Sequence, residues 1–276
     1  MTKPLQRVGG LALALIFILL VIAGIVTSKP SWYRSLTQEN GRNTPESLKK
    51  PQEPSRSAEN GHPGRQGPLT PREMSMAKAA WQYFVASTQE NTGLANAVLS
   101  YPSTTMWDTA SYIAALVSAR ELEIIDKREF DLRTLKLLGS IQGLDLFRGE
   151  LPNKAYNTKT AEKVNYENKP GEIGFSALDI GRMMVWLYIL KQRYPYLANS
   201  VDGVMLKWKF CNAVDAKGKL YGAGVGGNNQ TQYFQEGRLG YEEYAAKGFA
   251  LWGFDTRQAS EAGPFDFIEI FGVKVP

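Results

Sequence analysis

The longest apolar run in the sequence lies close to its beginning. Residues 9–26 are 18 consecutive residues without a charge, and Lys3 and Arg7 precede them. This length is just enough to span a bilayer, and it exceeds the apolar region of a typical cleaved signal peptide. We therefore predict a membrane anchor over residues 1–28, with a cleaved signal as the alternative. The basic N terminus predicts that the rest of the chain lies across the membrane from the cytoplasm.

Residues 29–72 have the composition of a linker. They contain seven of the 14 prolines, many polar and charged residues, and almost no aliphatic ones. Such a segment buries too little apolar surface to offset the entropy that ordering costs. The pattern predicts a disordered Pro-rich linker, followed by a folded domain over residues 73–276.

Apolar residues at helical spacing dominate the folded domain. We predict helices over residues 76–85, 105–119, 126 to 139 or 144, 176–193, 198–210 and 241–252. Two long segments rich in Gly and aromatic residues, 149–172 and 218–235, are predicted to be loops. No run of strands and no βαβ alternation is visible, so the predicted class is all-α. Long loops in a compact helical domain are typically functional.

The predicted helix over residues 176–193 is the element around which the domain is organised. Ser176 followed by Asp179 resembles a capping box, in which each side chain satisfies an unpaired backbone N–H group. One helical face then carries Ile180, Met183, Met184 and Leu187. We expect this helix to be buried on most sides, with its charged first turn pointing into a cavity.

The charge distribution argues against a nucleic-acid partner. The full chain has a net charge of +5, but residues 1–72 contain ten Lys or Arg and four Asp or Glu. Residues 73–276 therefore contain 22 basic and 23 acidic residues, a net charge of −1. A folded domain with this balance is not expected to bind polyanions.

Cysteine and histidine usage narrows the chemistry. Cys211 is the only cysteine, and His62, in the predicted linker, is the only histidine. Intramolecular disulfides, Ser-His-Asp and Cys-His catalysis, and histidine-based metal sites are therefore excluded from the folded domain. We expect neither a metal nor a cofactor. Residues 222–227 match G-x-G-x-x-G by letters, but they lack the preceding strand and following helix of a dinucleotide site, so we interpret them as a flexible loop.

Several charged residues admit a capping role as well as a functional one. Asp108, Asp179 and Glu242 lie in predicted first turns, where the helix dipole favours carboxylates. Arg182, one turn after Asp179, has the spacing of an ion-pair partner. The alternative for these residues is a cleft in which Trp107 stacks against a sugar ring.

Glu172 and Glu236 differ from these residues because no capping role is evident for either. Glycoside hydrolysis needs one protonated carboxyl and one ionised carboxylate, and aromatic rings suit the apolar faces of sugars. We predict that Glu172 and Glu236 are the catalytic acid/base pair. The predicted substrate-binding residues are Trp107, Asp108, Asp179, Arg182, Arg238, Tyr241 and Glu242. The same composition also suits passive carbohydrate binding, so catalysis does not follow from it alone.

Four segments carry a resemblance to a known family. They are Trp-Asp-Thr-Ala-Ser at 107–111, Leu-Pro-Asn at 151–153, Gly-Phe-Ser-Ala-Leu-Asp-Ile-Gly-Arg at 174–182, and residues 236–246. Over residues 74–276 the chain resembles the bacterial domain-of-unknown-function family 3131, which is distantly similar to glucoamylase-like and β-1,2-glucan-acting hydrolases with (α/α)6 toroid folds. The resemblance implies a glycan ligand at the toroid mouth. With the predicted anchor over residues 9–26, we expect a single-pass protein of the bacterial inner membrane, with its domain in the periplasm or outside the cell.

The chain departs from a complete toroid in its number of helices. Six or seven helices are indicated, and a complete toroid has about twice that number. The ending at residues 267–276 resembles the interior of a family member. We therefore expect a partial toroid, from truncation, a split gene or assembly from halves. The predicted function is glycoside hydrolase-like. The alternative is a non-catalytic glycan-binding or scaffold protein of a cell-surface polysaccharide system.

Overall fold

The computed structural model describes residues 67–262 and 266–275. Its α-helices are α1 (Pro71–Ser87), α2 (Met106–Glu121), α3 (Lys127–Gly143), α4 (Ala177–Arg193), α5 (Ala198–Lys207) and α6 (Tyr241–Leu251). Each corresponds to a predicted helix, although α1 begins at Pro71, within the predicted linker and before the predicted position 76, and α5 ends three residues before the predicted position 210. The predicted anchor over residues 1–28 and the linker up to residue 66 lie outside the described residues. None of the described helices combines the length and apolarity that a membrane crossing requires.

Side-chain caps fix where the helices of the site begin. At α2, the Thr105 hydroxyl and the Asp108 carboxylate form a complete capping box. At α4, Ser176 Oγ accepts a hydrogen bond from Asp179 N at 3.3 Å. Only this half of the predicted box forms at α4, and the Asp179 carboxylate is therefore left for other contacts. Both helices start where the sequence predicts, because the capping side chains satisfy otherwise unpaired N–H groups.

Helix α4 packs most extensively against α6 and α2. Its predicted apolar face is buried, and the buried set is Ile180, Met183, Met184, Leu187 and Leu190. Glycine allows a close approach to α6, because a Cβ atom on Gly181 would lie 2.6 Å from the Cβ atom of Ala245. One core joins side chains of all six described helices around α4.

The domain is helix-rich, but the predicted all-α class holds only in part. The described residues also contain the short strands β1 (Ser103–Thr105), β2 (Leu146–Phe147), β3 (Leu151–Pro152), β4 (Ala155–Asn157), β5 (Lys163–Val164), β6 (Tyr221–Val225), β7 (Thr231–Gln235), β8 (Ile268–Ile270) and β9 (Val273–Val275). They form an antiparallel sheet in the order β1-β4-β5 and three antiparallel pairs, β2–β3, β6–β7 and β8–β9. Strands of two to five residues are too short to show an alternating pattern in the sequence.

The segment interpreted as a flexible loop over residues 222–227 belongs to a hairpin, so that interpretation is wrong. Strands β6 and β7 pair from Tyr221↔Gln235 to Val225↔Thr231. The hairpin is tied to the residues before α4, since Ala223 N donates to Phe175 O at 2.9 Å. Gly174, at a φ of 112°, leaves no room for a side chain against the Ala223 backbone. This contact holds the end of β7 against the beginning of α4.

Candidate functional site

Glu236 follows β7 directly, and its carboxylate reaches the first turn of α4. Its Oε2 accepts hydrogen bonds from Ala177 N at 2.6 Å, Leu178 N at 3.3 Å and the Ser176 hydroxyl at 3.2 Å. The positive end of the α4 dipole favours a carboxylate in this position. The argument that Glu236 has no helix-terminal role is therefore wrong. Glu236 serves a helix some 60 positions earlier in the chain, which its local sequence does not reveal.

Glu236 is buried, and its hydrogen bonds from the described residues all go to one of its two carboxylate oxygens. The residue is 5% exposed, and burial raises its pKa although the three hydrogen bonds and Lys154 lower it. Oε1 accepts no hydrogen bond from the described residues. Gly222 provides the space for the carboxylate, because a Cβ atom there would lie 2.7 Å from the carboxyl carbon of Glu236.

Asp179 lies in the first turn of α4, the turn that the Glu236 carboxylate contacts. Burial is the largest influence on its carboxyl group, and the charges of Glu236 and Asp108 act in the same direction, so its pKa rises to about 6. The Ser176 hydroxyl and Lys154 oppose that rise. A carboxyl group with this pKa is partly protonated near neutral pH, as a general acid must be.

Asp108 caps α2, as its position in the first turn allows, and its substrate-binding role stays a prediction. Its Oδ2 accepts a hydrogen bond from the Thr105 hydroxyl at 2.7 Å, so it caps α2. Its charge also raises the pKa of Asp179, which places it in the same electrostatic cluster.

Lys154 and Arg238 supply positive charge to this cluster. Burial lowers the pKa of Lys154, and the charges of Glu236 and Asp179 counteract that effect. The Lys154 ammonium lies 4.9 Å from the ring centroid of Phe234 in β7. Arg238 is exposed on the segment between Glu236 and α6, and its charge lowers the pKa of Lys154 further.

Glu172 has a different set of charged partners. It forms ion pairs with Lys163 and, at 3.3 Å, with Arg148. Lys163 also contacts Asp145 at 2.6 Å. Burial raises the pKa of Glu172, but these cations outweigh it, so the net pKa is lowered. The charges of Glu236, Asp108 and Lys154 act on the pKa of Asp179, and the charge of Lys154 acts on that of Glu236, whereas Lys163 and Arg148 act on that of Glu172.

An open aromatic cleft of about 290 Å³ lies next to the carboxylates. Its lining residues are Trp107, Arg182, Leu239, Gly240, Tyr241 and Tyr244. The rings of Trp107 and Tyr241 are 5.3 Å apart at an interplanar angle of 34°. Trp107 precedes Asp108, and Arg182 follows Asp179 by one helical turn. The cleft and the carboxylate cluster therefore share the beginnings of α2 and α4, and the other cleft residues lie at the start of α6.

Arg182 stacks on Trp107 and does not pair with Asp179. Its guanidinium carbon lies 4.1 Å from the Trp107 ring centroid, and Nη2 donates to Ser111 Oγ at 2.9 Å. Ser111 in turn donates to Trp107 O at 3.1 Å. Among the described residues, no carboxylate oxygen lies within 4.0 Å of Arg182.

Tyr241 and Glu242 have separate positions at the start of α6. Tyr241 is about half exposed and lines the aromatic cleft. Glu242 accepts hydrogen bonds from Leu220 N at 3.2 Å and Gln235 Nε2 at 2.8 Å, so it links α6 to the β6–β7 hairpin. Burial raises the pKa of Glu242.

Sequence reasoning missed three residues of this region. Lys154 directly follows the Leu-Pro-Asn segment at 151–153, but nothing local shows that it faces Asp179 and Glu236. Leu239 lies in the 236–246 segment without a distinguishing pattern. Tyr244 follows Tyr241 by three positions, and this helical spacing was a signal for a shared face. Within the part of the chain that the structure describes, no group of three or more His, Cys, Asp or Glu side chains is arranged to hold a metal ion.

Comparison with known families gives one match. The family described as "Protein of unknown function (DUF3131)" matches residues 75–276, which is most of the chain. No curated protein matches the sequence.

Solved structures give distant matches to the fold. An endo-β-1,2-glucanase from Chitinophaga pinensis, solved with sophorotriose and glucose, is 16% identical with a TM-score of 0.52, covering 75% of this chain and 55% of its own. A putative glucoamylase from Bacteroides fragilis is 17% identical with a TM-score of 0.45, covering 58% and 42%. A β-1,2-glucanase from Parabacteroides distasonis is 18% identical with a TM-score of 0.46, covering 58% and 24%. The chain thus spans about half or less of the length of these proteins.

Proposed function

Because the chain belongs to the DUF3131 family and its helix-rich domain shares its fold with a β-1,2-glucanase, we propose that it cleaves glycosidic bonds in an extracytoplasmic glycan. The observation that carries this proposal is the pairing of Asp179, with a pKa of about 6, and the buried carboxylate of Glu236 beside an aromatic cleft. Acid-catalysed glycoside cleavage requires two neighbouring carboxyl groups, one that donates a proton and one that acts in its ionised form.

Asp179 is the proposed general acid. Its proton passes to the glycosidic oxygen as the bond from that oxygen to the anomeric carbon breaks, and the leaving sugar departs as an alcohol. Asp179 is then the anion, and the water that adds to the anomeric carbon supplies the proton that restores it. Glu236 and Asp108 support this role because their negative charges favour the protonated form of Asp179.

Glu236 is the proposed ionised partner. Its Oε2 is held by the α4 N-terminus, which stabilises the charged form, while Oε1 stays without a hydrogen bond from the described residues. A fixed carboxylate of this kind stabilises the positive charge that develops on the sugar ring in the transition state. Burial raises the pKa of Glu236 overall, and the three hydrogen bonds together with the charge of Lys154 counteract that rise and favour the ionised form.

Glu172, predicted with Glu236 as the acid/base pair, stays a prediction. Its ion pairs with Lys163 and Arg148 favour the ionised form, so Glu172 is suited to a basic role and not to proton donation. The proposal therefore gives the acid role to Asp179. The membrane anchor over residues 9–26 and a periplasmic or surface location complete the proposal. Together they bring the domain close to envelope glycans.

The test uses the full chain, purified in mild detergent, with a panel of α- and β-linked oligosaccharides and product detection. We expect cleavage whose kcat/KM falls as the pH rises above about 6, because Asp179 must be protonated. Asp179→Asn and Glu236→Gln should each lower kcat at least roughly 100-fold. Asp255→Asn, which alters an exposed ion pair with Arg257, is the control and should leave kcat unchanged. Full activity in Asp179→Asn would overturn the assignment.

A non-catalytic glycan-binding function is the second candidate. The neighbouring Trp107 and Tyr241 rings favour it, because aromatic faces bind sugars without any reaction. Oligosaccharides that quench tryptophan fluorescence but release no product from the wild-type chain would select this function over hydrolysis.

A further inference from the structure

We propose that the aromatic cleft is a subsite for an acidic sugar, one that carries a carboxylate on its ring. The inference deepens the proposed function and rests on it for the adjacent reaction centre. Arg182 is the single charged residue among those lining the cleft, and the other lining residues are apolar or aromatic. A ligand that fits this cleft has an apolar face and one negative charge.

The Arg182 side chain is held in place but its charge is not neutralised. Stacking on Trp107 at 4.1 Å and the 2.9 Å bond to Ser111 fix the guanidinium plane. None of the ion pairs among the described residues includes Arg182. Arg193, on the same helix, differs in this respect because it pairs with Glu121. A fixed and unpaired guanidinium is suited to receive a carboxylate from outside the chain.

The cations around the cleft offset the charge of its carboxylates, so that an acidic ligand can approach Arg182. An anionic sugar next to Asp108, Asp179 and Glu236 would be repelled if these carboxylates were alone. Lys154 acts on the Asp179 and Glu236 carboxylates, and Arg238 adds its charge on the segment that leads into the cleft. Arg182 is the third positive charge beside these three carboxylates, and it is the one that lines the cleft.

Exposure permits a ring to enter. Leu239, Tyr241 and Tyr244 are 42%, 49% and 37% exposed, although all three are apolar or aromatic. The apolar face of a sugar ring stabilises the complex when it covers these side chains, because it removes their apolar surface from water. The contact between the Tyr241 and Trp107 rings marks where that face lies. The carboxylate of the sugar then meets Arg182 one helical turn from Asp179.

The test compares glucuronate with glucose, which are the same ring with and without the carboxylate. Binding to the full chain is measured by ligand-observed NMR titration at low and at high salt. We expect glucuronate to bind about tenfold more tightly than glucose at low salt, with the difference shrinking at high salt. Equal affinities, or no binding of glucuronate, would overturn the inference.

Arg182→Met and Arg193→Met form a matched pair of variants. Methionine keeps apolar contact with Trp107, so Arg182→Met should remove the preference for glucuronate while glucose binding persists. Arg193→Met removes an arginine of the same helix outside the cleft and should keep that preference. A preference that survives in a folded Arg182→Met chain would overturn the inference. Cleavage of neutral glycans alone would overturn the acidic-sugar subsite and leave the proposed hydrolysis intact. Preferential glucuronate binding without cleavage of any glycan would support the subsite and overturn the proposed hydrolysis.

Discussion

Replacing Asp179 by asparagine should stabilise the folded chain at neutral pH. The folded state raises the pKa of this carboxyl from its ordinary 3.8 to about 6, chiefly by burial and by the charges of Glu236 and Asp108. Between these two pH values the folded chain binds more protons at Asp179 than the unfolded chain does, so folding stability falls as the pH rises. A tenfold change in proton affinity corresponds to about 1.4 kcal/mol, so ionised Asp179 costs the fold about 3 kcal/mol above pH 7.

The measurement is the free energy of unfolding by urea from pH 3.5 to pH 8, with the full chain in detergent. Relative to the wild type, Asp179→Asn should show little difference near pH 3.5. It should gain about 3 kcal/mol by pH 7.5, with most of the rise between pH 4 and pH 6. If the Asp179 carboxylate stabilised the folded chain, its replacement would instead lower the free energy of unfolding at neutral pH. A variant that is less stable than the wild type at pH 7.5, or a difference that does not change with pH, would refute this reasoning.

Two further predictions concern Gly222 and Glu172. Gly222→Ala places a Cβ atom 2.7 Å from the carboxyl carbon of Glu236. It should therefore lower the free energy of unfolding, measured by urea titration, by about 1–3 kcal/mol. Gly227→Ala is the control and should leave that free energy unchanged, because no atom lies within 4 Å of the added Cβ. Glu172→Gln breaks the ion pair with Lys163 and should cost about 1 kcal/mol at pH 7. Because the Glu172 pKa is lowered, this deficit should disappear as the pH falls below the ordinary value of 4.5, and a deficit that persists in acid would contradict it.

The helices were predictable because their signals are local. Ser176 caps α4, Thr105 caps α2, and the apolar face of α4 has the helical spacing that places it in the core. The short strands were not predictable. Pairing between β1 and β4 joins residues about 50 positions apart in strands of three residues, and such strands form because tertiary contacts hold them.

The candidate site was also predictable only in part from the sequence. The sequence by itself identified Asp108, Asp179 and Glu236 as candidate residues, and it placed Trp107 and Arg182 next to them along the chain. Only the tertiary structure decided how they are combined, because the β6–β7 hairpin carries Glu236 to the beginning of α4.

The proton affinities were likewise a tertiary property. A carboxyl group in a sequence has its ordinary pKa until the fold sets its burial and its charged neighbours. Folding surrounds Glu172 with Lys163 and Arg148 and so favours its ionised form, while it buries Asp179 beside two other carboxylates. The sequence therefore determined which residues could perform acid–base chemistry, and the fold decided which of them retains a proton, because burial and charge proximity exist only in three dimensions.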